Sequence, residues 1–317
     1  MSVAIEPRVF SGGQEAAKKS VSAPIQKQSR SWVGWLPLVA LPITLIGMRA
    51  RLLPWVFMWL LAAAIFTGCK WQTWWEARAS LPGTRNWKRS AAYLLLWPGM
   101  DVQEFFTPST TKRWIPANEW FGAIAKMLVG VALIFAGARV VSLGHPLAGG
   151  WTGMLGLVLL LHFGTFHLIG LAWQRAGVGV RPIMQWPLAS RSLSELWGKR
   201  WNLGFRKLTH TWVFLPLQKR FGVVAATLAS FFASGLLHDL VISVPARGGY
   251  GLPTTYFLLQ GFGVIAERSE VGKRLGLGRG ARGWLWTALV AVGPLYWLFH
   301  PWFVMRVIVP FLRTVAG

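Results

Sequence analysis

Apolar residues run along this chain in stretches of near-spanning length, at 32 to 48, 52 to 68, 121 to 142, 151 to 173, 221 to 244, 252 to 266 and 283 to 312, with polar and basic segments between them. About 20 apolar residues wound as a helix cross the ~30 Å hydrocarbon core of a bilayer, so each run predicts a transmembrane helix. The last run is long enough for a hairpin of two, broken at His300-Pro301, which brings the expectation to about eight helices. The stretch at 90 to 98 is too short to span, and 252 to 266 fits either a span or a re-entrant helix. The expected fold is an all-α, polytopic integral membrane protein with cytoplasmic amphipathic helices.

Residues 1 to 31 are polar, carry Gly12-Gly13 and Lys18-Lys19, and show no apolar periodicity, which predicts a disordered cytoplasmic tail. The apolar pattern starts only after it and has no small-residue cleavage site, so a removed signal peptide is not expected. Residues 32 to 317 then form one membrane domain, with 174 to 220 as a cytoplasmic segment.

Composition strengthens this reading. Of the 317 residues 54% are hydrophobic, 21 are Trp and only 10 are acidic, too much apolar surface for one water-soluble core. The net charge of +23 raises nucleic acid as a partner, and its distribution decides against it. With the N-terminus in the cytoplasm, 26 of the 33 Lys and Arg fall in 1 to 31, 69 to 120, 174 to 220 and 267 to 282, while the opposite loops hold Arg49, Arg51 and Arg247. That is the positive-inside pattern, expected of a plasma or inner membrane in a bacterium and of the endoplasmic reticulum in a eukaryote. It also favours anionic lipid headgroups and phosphate-bearing substrates. The single cysteine, Cys69, excludes an internal disulfide, and there is no phosphate-binding glycine loop or metal-ligand spacing.

The run at 221 to 244 carries the candidate chemistry. An ionisable group inside an apolar span is costly and is most often retained for function. The residues on the helical face of His238 are Gly235, Ser234, Phe231 and Thr227, mostly small or weakly polar, so the face points into the protein rather than to lipid. On a straight helix His238 lies about 26 Å beyond Phe221, so a cytoplasmic substrate must send its reactive end into the membrane. A neutral imidazole in a polar pocket can take a proton from a hydroxyl. The bland alternative is a histidine that hydrogen-bonds between helices. Asp239 either orients His238 or, about 100° away round the helix, faces another partner. His162 and His167, five apart, do not converge on one metal or haem and read as packing or cavity-lining residues. His145, His210 and His300 read as structural.

In the basic segment, Leu193, Leu196, Trp197, Trp201 and Phe205 recur at helical spacing, predicting an amphipathic helix on the membrane surface. Asn202 stands out, since a carboxamide can donate to a developing negative charge without carrying one. Lys199, Arg200, Arg206 and Lys207 suit either phosphates or anionic lipid.

The stretch Ser192-Leu-Ser-Glu-Leu-Trp-Gly-Lys-Arg-Trp-Asn202 resembles the signature of the wax synthase branch of the membrane-bound O-acyltransferase family, and Ser234-Gly-Leu-Leu-His238, 36 residues after Asn202, resembles that family's histidine motif. Trp97-Pro-Gly-Met-Asp101 and Pro187-Leu-Ala-Ser-Arg191 fit the same branch, so the similarity covers roughly 97 to 245. The resemblance implies transfer of an acyl group from acyl-CoA, as co-substrate with no separate cofactor, to a lipophilic hydroxyl acceptor. A long-chain alcohol is the first choice, and a sterol, a glycerolipid or another hydroxylated metabolite the alternative. Carried over, His238 is the catalytic histidine and Asn202 the motif asparagine, with Trp197, Lys199, Arg200, Trp201, Ser234 and Asp239 as candidate substrate contacts. Related sequences often have Glu where this chain has Asp239. Two rivals stand beside this reading: a transporter, which would need more intramembrane carboxylates than Asp239, and a non-catalytic scaffold.

Overall fold

The computed structural model describes residues 32 to 107 and 114 to 316. The tail expected at 1 to 31 lies outside the described residues. Among the described residues the regular structure is helical throughout, apart from an isolated bridge residue, as the apolar runs predict. Five helices are long and apolar enough to cross a bilayer: α1 (Trp32–Arg51), α2 (Pro54–Ala77), α4 (Ala117–Ser142), α5 (Pro146–Arg175) and α6 (Leu203–Ala246). Between them α3 (Trp87–Leu96) is short. After them come α7 (Leu252–Arg268) and the bent pair α8 (Gly280–Leu298) and α9 (Pro301–Val315), which meet at 53° across His300-Pro301. The chain is thus a polytopic membrane protein, and among the described residues five helices, or six if the bent pair is one span, have the length and composition to cross a bilayer, against about eight expected. The difference lies in α7, which at 17 residues is shorter than a typical span, and in α8 and α9, which form one bent pair rather than two separate spans.

Local chemistry sets the helix ends. Pro54, Pro146 and Pro253 stand in the first turns of α2, α5 and α7, where the missing N–H is no loss. Asn86 caps α3 by accepting from the Arg89 N–H at 3.2 Å. α4 and α5 approach closely enough that a Cβ on Gly137 would stand 2.6 Å from the Gly149 carbonyl oxygen. Val304, Val307 and Leu312 of α9 are buried with Met58 of α2, Ile134 of α4 and Met154 of α5 in the largest apolar core.

α6 is not a straight rod. Gly222 has φ 82° and ψ 174°, a conformation open to glycine, and it breaks the helix one residue after Phe221. Wider π-helical turns interrupt α6 at His210–Phe214 and Asp239–Ser243, and α5 at Leu159–Thr165. Such turns shift the register of the following side chains and recur at functional sites.

The single amphipathic helix expected over 193 to 205 is corrected by the structure. Two short turns, Leu193–Glu195 and Leu196–Arg200, end where Trp201 is extended and Asn202 left-handed, and α6 starts anew at Leu203. Leu193 and Leu196 are buried against Val264 of α7 and Val290 of α8, so the apolar face meets protein, not lipid.

Candidate active site

The segment from 192 to 202 is held from both ends. Ser192 Oγ accepts from the Glu195 N–H at 2.9 Å, while Glu195 Oε2 accepts from the Arg191 N–H at 2.8 Å, close to the reciprocal arrangement of a capping box. Glu267, buried at the end of α7, accepts from the N–H groups of Leu193 (2.7 Å) and Ser194 (2.8 Å). Arg268 Nε donates to Ser194 Oγ at 2.9 Å. At the other end Arg200 Nε donates to Glu195 Oε1 at 2.7 Å, and its Nη1 donates to the carbonyls of Gln185 and Trp186. The backbone N–H of Arg191 and the Arg200 guanidinium hold the Glu195 carboxyl below its usual range.

Asn202 follows at φ 43° and ψ 57°, a left-handed conformation that asparagine tolerates better than most residues. Its N–H donates to Met184 Sδ at 3.2 Å, and the next N–H, of Leu203, donates to the Ile183 carbonyl at 3.0 Å. This turn places Asn202 on the wall of a cavity of about 1180 Å³.

His238 lines the same cavity, at the last helical turn before the π turn of Asp239–Ser243. Its Nδ1 lies 2.7 Å from the Ser234 carbonyl oxygen. A carbonyl only accepts, so Nδ1 carries the proton and Nε2 the bare lone pair, as a general base requires. The ring packs against Phe257, with centroids 4.3 Å apart. Of the small or weakly polar face read from the sequence, Thr227, Phe231 and Ser234 line the cavity. Gly235 instead closes α6 onto α7, where a Cβ would stand 2.6 Å from Thr254 Cα.

Trp197, Trp201 and Ser234 join Asn202 and His238 on the cavity wall, but Lys199, Arg200 and Asp239 do not. Lys199 is exposed, and Arg200 is spent on Glu195 and the backbone of 185 and 186. Asp239 turns away from His238 and caps α7, accepting from the N–H groups of Gly251 (2.9 Å) and Thr254 (3.0 Å) and from the hydroxyls of Thr254 and Ser243. Buried His300 extends this cluster. Its Nδ1 accepts from the Phe303 N–H at 3.1 Å, leaving Nε2–H to donate to Ser243 Oγ at 3.2 Å.

Two contributors, Lys70 and Arg268, were not singled out from sequence, whereas His162 takes the cavity-lining place read for it. Lys70, 1% exposed inside α2, donates to the Gly99 carbonyl at 2.5 Å with Nζ 3.3 Å from the Tyr93 ring centroid, and so fixes the loop that places Trp97 and Pro98 in the cavity wall. Asp101 of that loop accepts from Lys207 Nζ at 2.6 Å. A lone cation in an apolar run was the available signal for Lys70. Arg268, read only as part of a basic segment, lines the cavity with Arg206. His162 does so too, its ring nearly parallel to Trp201 at 6.3 Å. His167 instead approaches Glu119 at 3.6 Å.

Residues 180–259 match the model of the membrane bound O-acyl transferase family. The stretch runs from the loop before Ser192 to the middle of α7 and contains Asn202 and His238. The chain resembles the wax synthase-like branch of this family. It is 30% identical over 100 residues, 29% of each chain, to probable long-chain-alcohol O-fatty-acyltransferase 1 of Arabidopsis thaliana. It is 28% identical over 137 residues, 39% of each chain, to the long-chain-alcohol O-fatty-acyltransferase of Simmondsia chinensis. The matches span about two-fifths or less of these relatives' length, and the membrane-bound O-acyltransferase signature lies where the cavity is built.

Proposed function

We propose that this protein transfers a fatty acyl group from acyl-CoA to the hydroxyl of a long-chain alcohol, forming a wax ester within the membrane. The observation that carries the reading is that His238, with Nε2 unprotonated, and Asn202 face one apolar cavity. That cavity, at about 1180 Å³, exceeds the ~300–1,000 Å³ of ordinary small-molecule sites and suits two lipid substrates. Trp59, Phe66, Phe166, Phe205 and Phe231 give it walls fit for alkyl chains. The names of the relatives supply the acceptor class.

In the reaction the alcohol oxygen attacks the thioester carbonyl carbon while His238 Nε2 takes the hydroxyl proton. The Asn202 carboxamide donates a hydrogen bond to the carbonyl oxygen as negative charge builds on it. The carbon–sulfur bond then breaks, and the proton on Nε2 passes to sulfur, leaving ester and free thiol. Arg206 and Arg268 offer cations to the donor's phosphates. With the N-terminus cytoplasmic, both stand on the side from which acyl-CoA arrives.

The test is product identification by mass spectrometry after purified protein in lipid is given palmitoyl-CoA with, separately, hexadecanol, a sterol and a diacylglycerol. Hexadecyl palmitate as the main ester supports the reading. Ester from the sterol or diacylglycerol alone keeps the transfer chemistry and replaces the acceptor, and no ester from any acceptor sinks the proposal.

A further inference from the structure

The chemistry above uses neither of two further cavity histidines, His162 and His210, and the ring of His210 is stacked on Phe214. His162 sits in the π-helical turn Leu159–Thr165 of α5, which places its ring in the cavity between Phe166 and Trp201. Its Nδ1 is sealed from the cavity and has no hydrogen-bond partner. Nε2 is likewise unpaired among the described residues but is not sealed. A sealed N–H without an acceptor is costlier than a sealed lone pair, so the proton belongs on Nε2. His162 therefore presents a donor where His238 presents an acceptor. Neighbouring hydroxyls do not compete for the same ligand atom: those of Thr209, Thr227, Ser230 and Ser234 all donate to carbonyls one turn back in their own helix.

The placement says which ligand atom it meets. Ring contacts join His162 to Trp201 (6.3 Å), Trp201 to Trp197 (6.5 Å), Trp197 to Phe257 (5.7 Å) and Phe257 to His238 (4.3 Å), so His162 packs against the motif residue Trp201 while His238 packs against Phe257 of α7. His162 is thus on the motif side of the cavity, beside the segment whose flanks carry Arg206 and Arg268, rather than at the reacting hydroxyl. A donor entering between those arginines brings its amide-containing arm past this wall before its thioester reaches His238. We infer that His162 Nε2–H binds an amide carbonyl of the acyl donor's pantetheine arm. This rests on the acyl-CoA reading above and adds a donor-specificity residue to it.

The test compares wild type, His162→Phe and His162→Gln in lipid with palmitoyl-CoA and with a palmitoyl thioester of a simple alkanethiol, which has no amide. Phenylalanine keeps the ring packing and loses the donor, whereas glutamine keeps an N–H. The expected result is a KM for palmitoyl-CoA raised about 3- to 10-fold in His162→Phe, the size of one lost hydrogen bond. kcat should be nearly unchanged, His162→Gln should recover most of the loss, and the amide-free donor should show no difference between variants. An unchanged KM in His162→Phe, a fall confined to kcat, or an equal loss with the amide-free donor overturns the inference. A lowered melting temperature in His162→Phe that Gln does not restore assigns the histidine to packing and overturns it too. If wild type transfers nothing from either donor, the acyl-CoA reading fails and this inference with it; active wild type with indifferent variants removes the inference alone.

Discussion

At the scale of the residue, two backbone details give His238 and Asn202 their properties. The Ser234 carbonyl fixes the imidazole tautomer, and the left-handed turn at 202 places Asn202 on the cavity wall. His238→Ala should lower kcat by at least about 10²-fold, the usual worth of a general base. Asn202→Gly, which accepts the same φ without strain, should lose about 10²- to 10³-fold in kcat while leaving the melting temperature near wild type, separating the carboxamide from the backbone. Steady-state kinetics and thermal denaturation on the same samples check both. Glu195 gives a pH dependence. Its carboxyl is held below the ordinary 4.5, so its stabilisation is complete above that value and lost as pH falls through the depressed folded value. Glu195→Gln should therefore melt below wild type at pH 7, and the gap should close in acid.

At the scale of the element, the site depends on clamps between segments far apart in sequence. Glu267 grips the start of the motif 74 residues earlier in the chain, and Lys70 grips the loop at Gly99. Lys70→Met should leave the buried Gly99 carbonyl unpaired, at a cost of about 1–3 kcal/mol seen as a lower melting temperature. Asp239→Asn should lower the melting temperature, because its one amide oxygen can accept from only one of the Gly251 and Thr254 N–H groups, yet should retain most activity because the residue does not face the cavity; a loss of activity as large as that of His238→Ala would contradict this assignment. These clamps explain what was legible in the sequence. Apolar runs, the cation asymmetry and an ionisable side chain on a small-residue face are local patterns, so the spans and His238 could be read directly. The diversion of Asp239 to α7 and the cavity position of Arg268 come from tertiary contacts with no local signal, while the pairing of Arg200 with Glu195 depends on the π-helical turn at Leu196–Arg200, which periodicity does not reveal. Periodicity over 193 to 205 marked an apolar face correctly but could not say whether protein or lipid covers it.

At the scale of the whole molecule, α2, α5, α6 and α7 surround one cavity that joins two basic side chains, Arg206 and Arg268, to a histidine within the apolar spans. That arrangement suits a donor with a charged head and a lipid tail meeting an acceptor dissolved in the bilayer. It fits ion-coupled transport poorly, since the Asp239 carboxylate is saturated by α7 and by Ser243. The most direct test of the account is the release of free coenzyme A from palmitoyl-CoA by the purified protein in lipid, with and without hexadecanol, for wild type and His238→Ala. The expected result is release that requires both the alcohol and His238, with hexadecyl palmitate formed in equal amount. Release that ignores the alcohol, or that survives in His238→Ala, would contradict it.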